Sequence, residues 1–306
     1  MTYDWAREIP YQRFFDFIAM DAGRYQVLVE TAESLELNFT VVAIEGNRHV
    51  FVYPPAYRQN IGAGNIFPFR GQRPVILCAH YDRVEGSQGA NDNSAAVFQL
   101  LKAALRLGKE GTDYWIIIFT DKEELRAGES VREQGAFSLA EKLRDWGLGD
   151  SRFYIFDACG SGDTLIISKT ADYLFKNTEG KGIYKTRQQI TDLRNHALGT
   201  ANYLRLYNTL MLPTPFSDDA GFLKAGIPAQ TVTMLPNSEA GPFASFLRKR
   251  PDFGELIING GAQAGPDRLH IPETWRCLNS AADSHVRLTP RHFDIVVRFA
   301  AELCKA

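Results

Sequence analysis

Short apolar runs that end in histidine or acidic residues, spaced by stretches with helical periodicity, set the rhythm of this chain. Pro74-Val-Ile-Leu-Cys-Ala79 leads into His80 and the polar turn Tyr81-Asp82. Tyr114-Trp-Ile-Ile-Ile-Phe-Thr120 leads into the pair Glu123-Glu124, and Phe153-Tyr-Ile-Phe156 leads into Asp157. Runs this short and apolar, bounded by polar turns, predict buried strands. Thr164-Leu-Ile-Ile-Ser168 and Ala229-Gln-Thr-Val-Thr-Met-Leu235 predict two more. Between the first two strands, Ser94 to Leu107 is apolar nearly all round and predicts a buried helix. A second helix is expected near Ala136 to Trp146. Strands alternating with helices imply an α/β fold: a largely parallel, mixed central β-sheet covered by helices on both faces.

The flanking regions extend this pattern. Residues around Tyr11 to Leu35 have amphipathic helical spacing, and Phe39 to Ile44 with His49 to Tyr53 form a strand pair turned at Glu45-Gly-Asn47. Pro54 to Gly71 is a Pro- and Gly-rich loop. Helices are expected around Ile190 to Leu206, Asp219 to Lys224 and Arg291 to Cys304. Pro236 to Pro272 contains Gly241, Gly254, Gly260, Gly261 and Gly265, so residues from about 237 to 272 are expected to be an irregular insertion or lid. No repeat interrupts the chain, and one domain over residues 1–306 accommodates every element.

Composition narrows the partners. The formal net charge is -2 with no long basic run, so neither nucleic acid nor an anionic membrane is an expected partner. A peptide or aminoacyl small molecule fits better; no oligomeric state is assigned. The start, Met1-Thr-Tyr-Asp-Trp-Ala-Arg-Glu-Ile-Pro10, lacks the basic and apolar segments of a secretory signal, and the expected location is cytoplasmic. Cys78, Cys159, Cys277 and Cys304 are too scattered for a disulfide framework. Cys78 and Cys159 lie beside candidate site residues, and packing as small apolar groups is the simplest role for both.

In open α/β sheets, sites form beyond the carboxyl ends of the strands, so three ends bearing metal-ligand residues point to one crevice. Each residue has a plain alternative. Asp92, in Asn91-Asp-Asn-Ser94 before a helix, could be an N-cap. Glu123 and Glu124 could be first-turn acids, Asp157 a turn cap, and His80 a hydrogen-bonded core residue. Their joint placement favours chemistry: imidazole and carboxylates suit zinc, with one acid left for proton transfer.

His80-Tyr-Asp82, Gly89-Ala-Asn-Asp-Asn-Ser94, Phe119-Thr-Asp-Lys-Glu-Glu-Leu125, Phe156-Asp157 and Phe216-Ser-Asp-Asp-Ala-Gly-Phe-Leu-Lys-Ala-Gly-Ile-Pro228 resemble the family of bacterial leucyl aminopeptidases and glutaminyl cyclases. The resemblance runs from about residue 75 to the C-terminus and implies a single α/β domain with two zinc ions in a co-catalytic site. It implies that His80 and Asp157 bind one zinc, that Asp92 bridges, that Glu124 binds the other, and that Glu123 is the general base. Asp82 would orient the imidazole. In that scheme the metals polarise the scissile carbonyl and acidify water, and Glu123 passes its proton to the leaving amine. Asp218, retained from the family's Ser-Asp-His motif, would contact substrate.

Two departures qualify the resemblance. The family's last ligand is a histidine in a His-Thr-Pro-x-Asp-Thr stretch, and Asn279-Ser-Ala-Ala-Asp-Ser284 stands there instead; Asp219 replaces the histidine of the Ser-Asp-His motif. An amide is a poorer zinc ligand than imidazole, so one tight zinc is expected at His80, Asp92 and Asp157 with the second site weak or empty. Mn²⁺ or a similar ion also suits one histidine among carboxylates. His285 or His270 could replace the missing ligand, although neither stands at the family position. The leading reading is a metal-dependent, aminopeptidase-like hydrolase. The alternatives are a glutaminyl-cyclase-like acyl transferase, with its single zinc on Asp92, Glu124 and Asn279, and a non-catalytic binding descendant, against which stands the retained base Glu123.

Overall fold

The computed structural model describes residues 9–55, 61–62, 65–66, 73–125, 128–176, 178–258 and 266–305. The expectations for residues 1–8 and for most of the Pro54 to Gly71 loop lie outside these residues.

The strands are β1 (Phe39–Ile44), β2 (Asn47–Val52), the two-residue ribbon β3 (Ile61–Gly62) and β4 (Asn65–Ile66), β5 (Val75–His80), β6 (Trp115–Thr120), β7 (Arg152–Phe156), β8 (Thr164–Ser168), β9 (Thr209–Leu212) and β10 (Ala229–Leu235). All but the ribbon join one eight-stranded sheet in the order β1-β2-β6-β5-β7-β10-β8-β9. Its centre, β6-β5-β7-β10, is parallel, β8 and β9 pair in parallel, and the remaining pairings are antiparallel. Because β6, β5 and β7 run the same way, the three strand ends singled out by the sequence open on one edge of the sheet.

Eleven helices are described: α1 (Tyr11–Ile18), α2 (Arg24–Ser34), α3 (Ala95–Lys109), α4 (Gly135–Asp145), α5 (Thr170–Leu174), α6 (Lys181–Tyr203), α7 (Asp219–Lys224), α8 (Asn237–Lys249), α9 (Phe253–Ile258), α10 (Glu273–Arg276) and α11 (Phe293–Leu303). The period-two geometry of a strand divides the apolar runs between two cores. Val75, Leu77 and Ala79 of β5, Trp115, Ile117 and Phe119 of β6, and Tyr154 and Phe156 of β7 face the layer of α1, α2, α3, α6 and α11. Ile76, Cys78, Ile116, Ile118, Phe153 and Ile155 face α4 and α7. This two-sided burial explains why the runs are continuously apolar. No helix of the described residues is long and apolar enough to cross a membrane.

The structure corrects several expectations. The helical spacing of Tyr11 to Leu35 resolves into two helices, broken after Ile18. Arg83 stabilises the break by donating to the carbonyls of Ile18, Ala19 and Met20 at 3.1, 2.8 and 2.8 Å, a long-range contact that local periodicity does not reveal. The helix expected from Ile190 begins at Lys181, and β9 was not anticipated. The stretch expected to be irregular carries α8 and α9. Phe243, Leu247, Phe253 and Ile257 form a third core with Trp275 against Ile166, Leu212 and Leu235. Gly241 and Pro242 give this segment its loop-like composition, yet both lie inside α8, where apolar spacing overrides them. Residues 259–265 of the stretch lie outside the described ones.

Candidate metal centre and active site

His80 closes β5 opposite Thr120 of β6, while Asp157 follows β7, whose Ile155 is the register partner of Cys78. Asp92 arrives from the turn Ala90–Ser94 that feeds α3. The Asp92–Asn93 peptide is cis. The residue capping α3 is Ser94, which makes no side-chain cap bond, and the Asp92 carboxylate turns to His80 instead of the helix. One ligand atom from each of His80, Asp92 and Asp157 lies within 4.8 Å of the others. His80 Nε2 is 3.0 Å from Asp92 Oδ1 and 3.6 Å from Asp157 Oδ1.

This arrangement fits a divalent cation. His80 Nε2 and Asp157 Oδ1 are both buried without a hydrogen-bond partner among the described residues, a costly state for polar atoms unless an ion satisfies them. Burial, and next the charge of Asp157, push the Asp92 carboxyl up. Burial lowers the affinity of His80 for a proton, but Asp157, Asp82 and Asp92 outweigh it and raise the imidazole well above its usual value. The crowded carboxylates are a negative charge that a bound cation would neutralise.

Asp82 organises the surroundings. Its Oδ1 lies 3.3 Å from His80 Nδ1, and its two oxygens accept from the Glu123 amide at 3.1 and 3.0 Å and, through Oδ2, from the Glu124 amide at 3.2 Å. Burial alone would raise its pKa, but His80 and these amides hold it below the usual carboxylate range. The contact to Nδ1 leaves Nε2 facing Asp92 and Asp157, a geometry compatible with the orienting role expected of Asp82.

Asp92, Glu123, Asp157 and Asn279 line one cleft of about 370 Å³ with Phe216, Arg268, Trp275 and Arg276 among its walls. Glu123 is pushed well above the carboxylate range by burial and by the neighbouring acids, Glu124 first among them. Glu124 stands apart. It belongs neither to the ligand group nor to the cleft wall, its Oε1 is buried without a partner, and burial followed by Asp92 pushes it up to about 7. Asn279 is exposed, in the left-handed region at φ 56°. His270 stacks on Phe246 at 4.1 Å and His285 contacts Gln88 at 3.3 Å; neither joins the ligand group.

Asp218 was expected to contact substrate. It is fully buried, accepts a hydrogen bond from the Thr120 hydroxyl, and is not part of the cleft wall. Burial pushes it to about 7. Asp219, beside it, accepts from the Ser217 amide at 3.1 Å and is pushed to about 6, again by burial. An acid whose folded pKa is raised contributes stability that is complete below its unfolded value and is lost as pH rises through the folded value. In chelator-treated protein, Asp218→Asn should therefore raise the melting temperature at pH 8, by on the order of 5 °C, and leave it nearly unchanged at pH 4. Melting curves at the two pH values check this.

Cys78 and Cys159 are buried free thiols whose pKa values burial raises well above normal, as packed apolar groups require. Two supporting residues escaped the sequence reading. Asp283 accepts from the amides of Asn91 and Asp92 at 2.8 and 3.0 Å, fixing the turn that presents Asp92. Its place in the Asn279–Ser284 stretch, matching the family's Asp, was the available signal. Arg24, buried in α2, donates to the carbonyls of Asp82 and Gly89 at 2.7 and 3.0 Å and to the Ser94 hydroxyl; nothing in its local sequence marks it.

No curated protein sequence matches the chain. Among solved structures, a leucine aminopeptidase precursor from Bacteroides thetaiotaomicron aligns over 99% of this chain and 97% of its own, at 13% identity and TM-score 0.62. The glutaminyl cyclase of the same organism aligns over 99% and 98%, at 13% identity and TM-score 0.64. That of Porphyromonas gingivalis aligns over 99% and 98%, at 14% identity and TM-score 0.61. These likenesses establish the α/β fold. Residues 65–256, which carry β5, β6, β7 and four of the five expected site ligands, match peptidase family M28, and the chain belongs to that family.

Proposed function

We propose that this chain is a metal-dependent, aminopeptidase-like exopeptidase, with one tightly held ion on His80, Asp92 and Asp157 and with Glu123 as general base. The observation that carries the reading is the opening of the ligand group and of Glu123 on the same cleft. An imidazole with two carboxylates suits zinc, while manganese shares the preference for oxygen donors.

Bound there, the ion supplies Lewis-acid polarisation of the scissile carbonyl and makes water more acidic. The chain does the rest. Glu123, held through its backbone amide by Asp82, takes the proton of the attacking water and returns it to the leaving amine. The glutaminyl-cyclase alternative has fold-level likeness from two neighbours. Its donor set, Asp92, Glu124 and Asn279, is the less suited, because Glu124 lies off the ligand group and residue 279 offers only an amide.

Metal-loaded protein should hydrolyse aminoacyl amides, lose the activity on chelation and regain it with Zn²⁺, and should not cyclise N-terminal glutaminyl peptides. Cyclisation without hydrolysis would reverse the assignment. The unmodified protein should bind close to one equivalent of Zn²⁺ tightly. Two equally tight equivalents in the unmodified protein would refute this ligand count.

A further inference from the structure

The cleft is electrically divided. Asp92, Glu123 and Asp157 lie on its metal-binding side, whereas Arg268 and Arg276 belong to the segment that also carries Trp275 and Asn279. Neither guanidinium makes a side-chain hydrogen bond or ion pair among the described residues. Arg276 is half-buried on α10, and its Nε is shut off from solvent without a partner. The acid three residues before it, Glu273, is engaged by Arg287 at 2.9 Å. A fork-shaped donor held in a partly buried wall, as Arg276 is, with no hydrogen-bonded or ion-paired acceptor among the described residues, matches a planar carboxylate, and Arg268 adds an exposed guanidinium to the same wall. For a cleft whose opposite side is acidic, this is an inverted charge.

We propose that Arg276, assisted by Arg268, forms a subsite for a carboxylate on the substrate, so that the cleft selects short anionic peptides. This rests on the peptidase reading for the orientation of the substrate, whose amino end would face the acidic side and whose carboxylate the arginine side. The carboxylate has two chemical sources: the free C-terminus of a dipeptide or an acidic side chain. Arg276 is a specificity-determining residue here, not a catalytic one.

The test uses binding as well as turnover. In a Glu123→Gln background, which holds the peptides without cleaving them, calorimetry compares Leu-Gly with Leu-Gly-amide and Glu-Gly-amide with Gln-Gly-amide, all with Zn²⁺ present. One carboxylate-bearing member should bind about 10-fold tighter than its amide counterpart, and the pair in which this occurs identifies the source. Adding Arg276→Gln should erase the difference while leaving the affinity of the neutral peptides within about 2-fold. Equal affinities within both pairs, no binding of any peptide, or an advantage that survives Arg276→Gln combined with Arg268→Gln would overturn the subsite. Turnover of the same peptides by the unmodified protein reports separately on the peptidase reading. Carboxylate-selective binding without any hydrolysis would retain the subsite and reject the enzyme.

Discussion

Glu123→Gln should lower kcat by about 10²-fold or more while leaving fold and metal content intact. The geometry makes the substitution a clean probe. Glu123 lines the cleft, and its link to Asp82 runs through the backbone amide, which glutamine keeps. Gln134 Nε2 donates to the Glu123 carbonyl at 3.0 Å, another contact independent of the side chain. Burial and nearby acids already disfavour the charged form, so a neutral isostere relieves repulsion, and the melting temperature should equal or exceed that of the unmodified protein near pH 8. Turnover, zinc content and melting temperature measured on one preparation decide the matter. Unchanged turnover would remove Glu123 from proton transfer.

Asp92→Ala should abolish tight metal binding and, with it, activity. The variant removes one of three ligands and leaves His80 with Asp157 alone, two donors where a catalytic zinc ordinarily has three from the protein. Were Asp92 a helix cap, as its place before α3 allows, the loss would be about 1 kcal/mol of stability with the metal retained. The structure separates these outcomes in advance, since the carboxylate makes no cap bond and approaches His80 Nε2 at 3.0 Å. Equilibrium dialysis against Zn²⁺ gives the answer. An intact metal affinity would return Asp92 to a structural role.

What the sequence made legible was whatever strand periodicity governs. The apolar runs of β5, β6 and β7 are buried on both faces, so their lengths and their polar ends follow from the pattern alone, and His80 and Asp157 were found because they terminate those runs. Less legible was whatever depends on contacts between distant segments. The break after α1 rests on Arg83, the presentation of Asp92 on Asp283, and the anchoring of the Asp82 turn on Arg24. The helices over Asn237–Lys249 and Phe253–Ile258 were masked by glycine and proline, whose local meaning yields when an apolar face finds a partner such as Trp275. For Asp218 the motif resemblance conveys which residue is kept, not which way it faces, and here its carboxylate accepts from the Thr120 hydroxyl.

Because one carboxylate, that of Asp82, touches the His80 ring and also accepts the amides of Glu123 and Glu124, the proposed metal ligand and the proposed base share a single mechanical reference. Displacing that carboxylate moves both halves of the machinery together, so the effects of altering Asp82 and Glu123 should combine far below additivity. Under the proposed mechanism, the same sharing would set the spacing of His80 and Glu123 when the protein folds and not when the substrate arrives. On that mechanism a ligand entering this cleft would meet a preorganised pair, and little of its binding energy would be diverted to assembling the site.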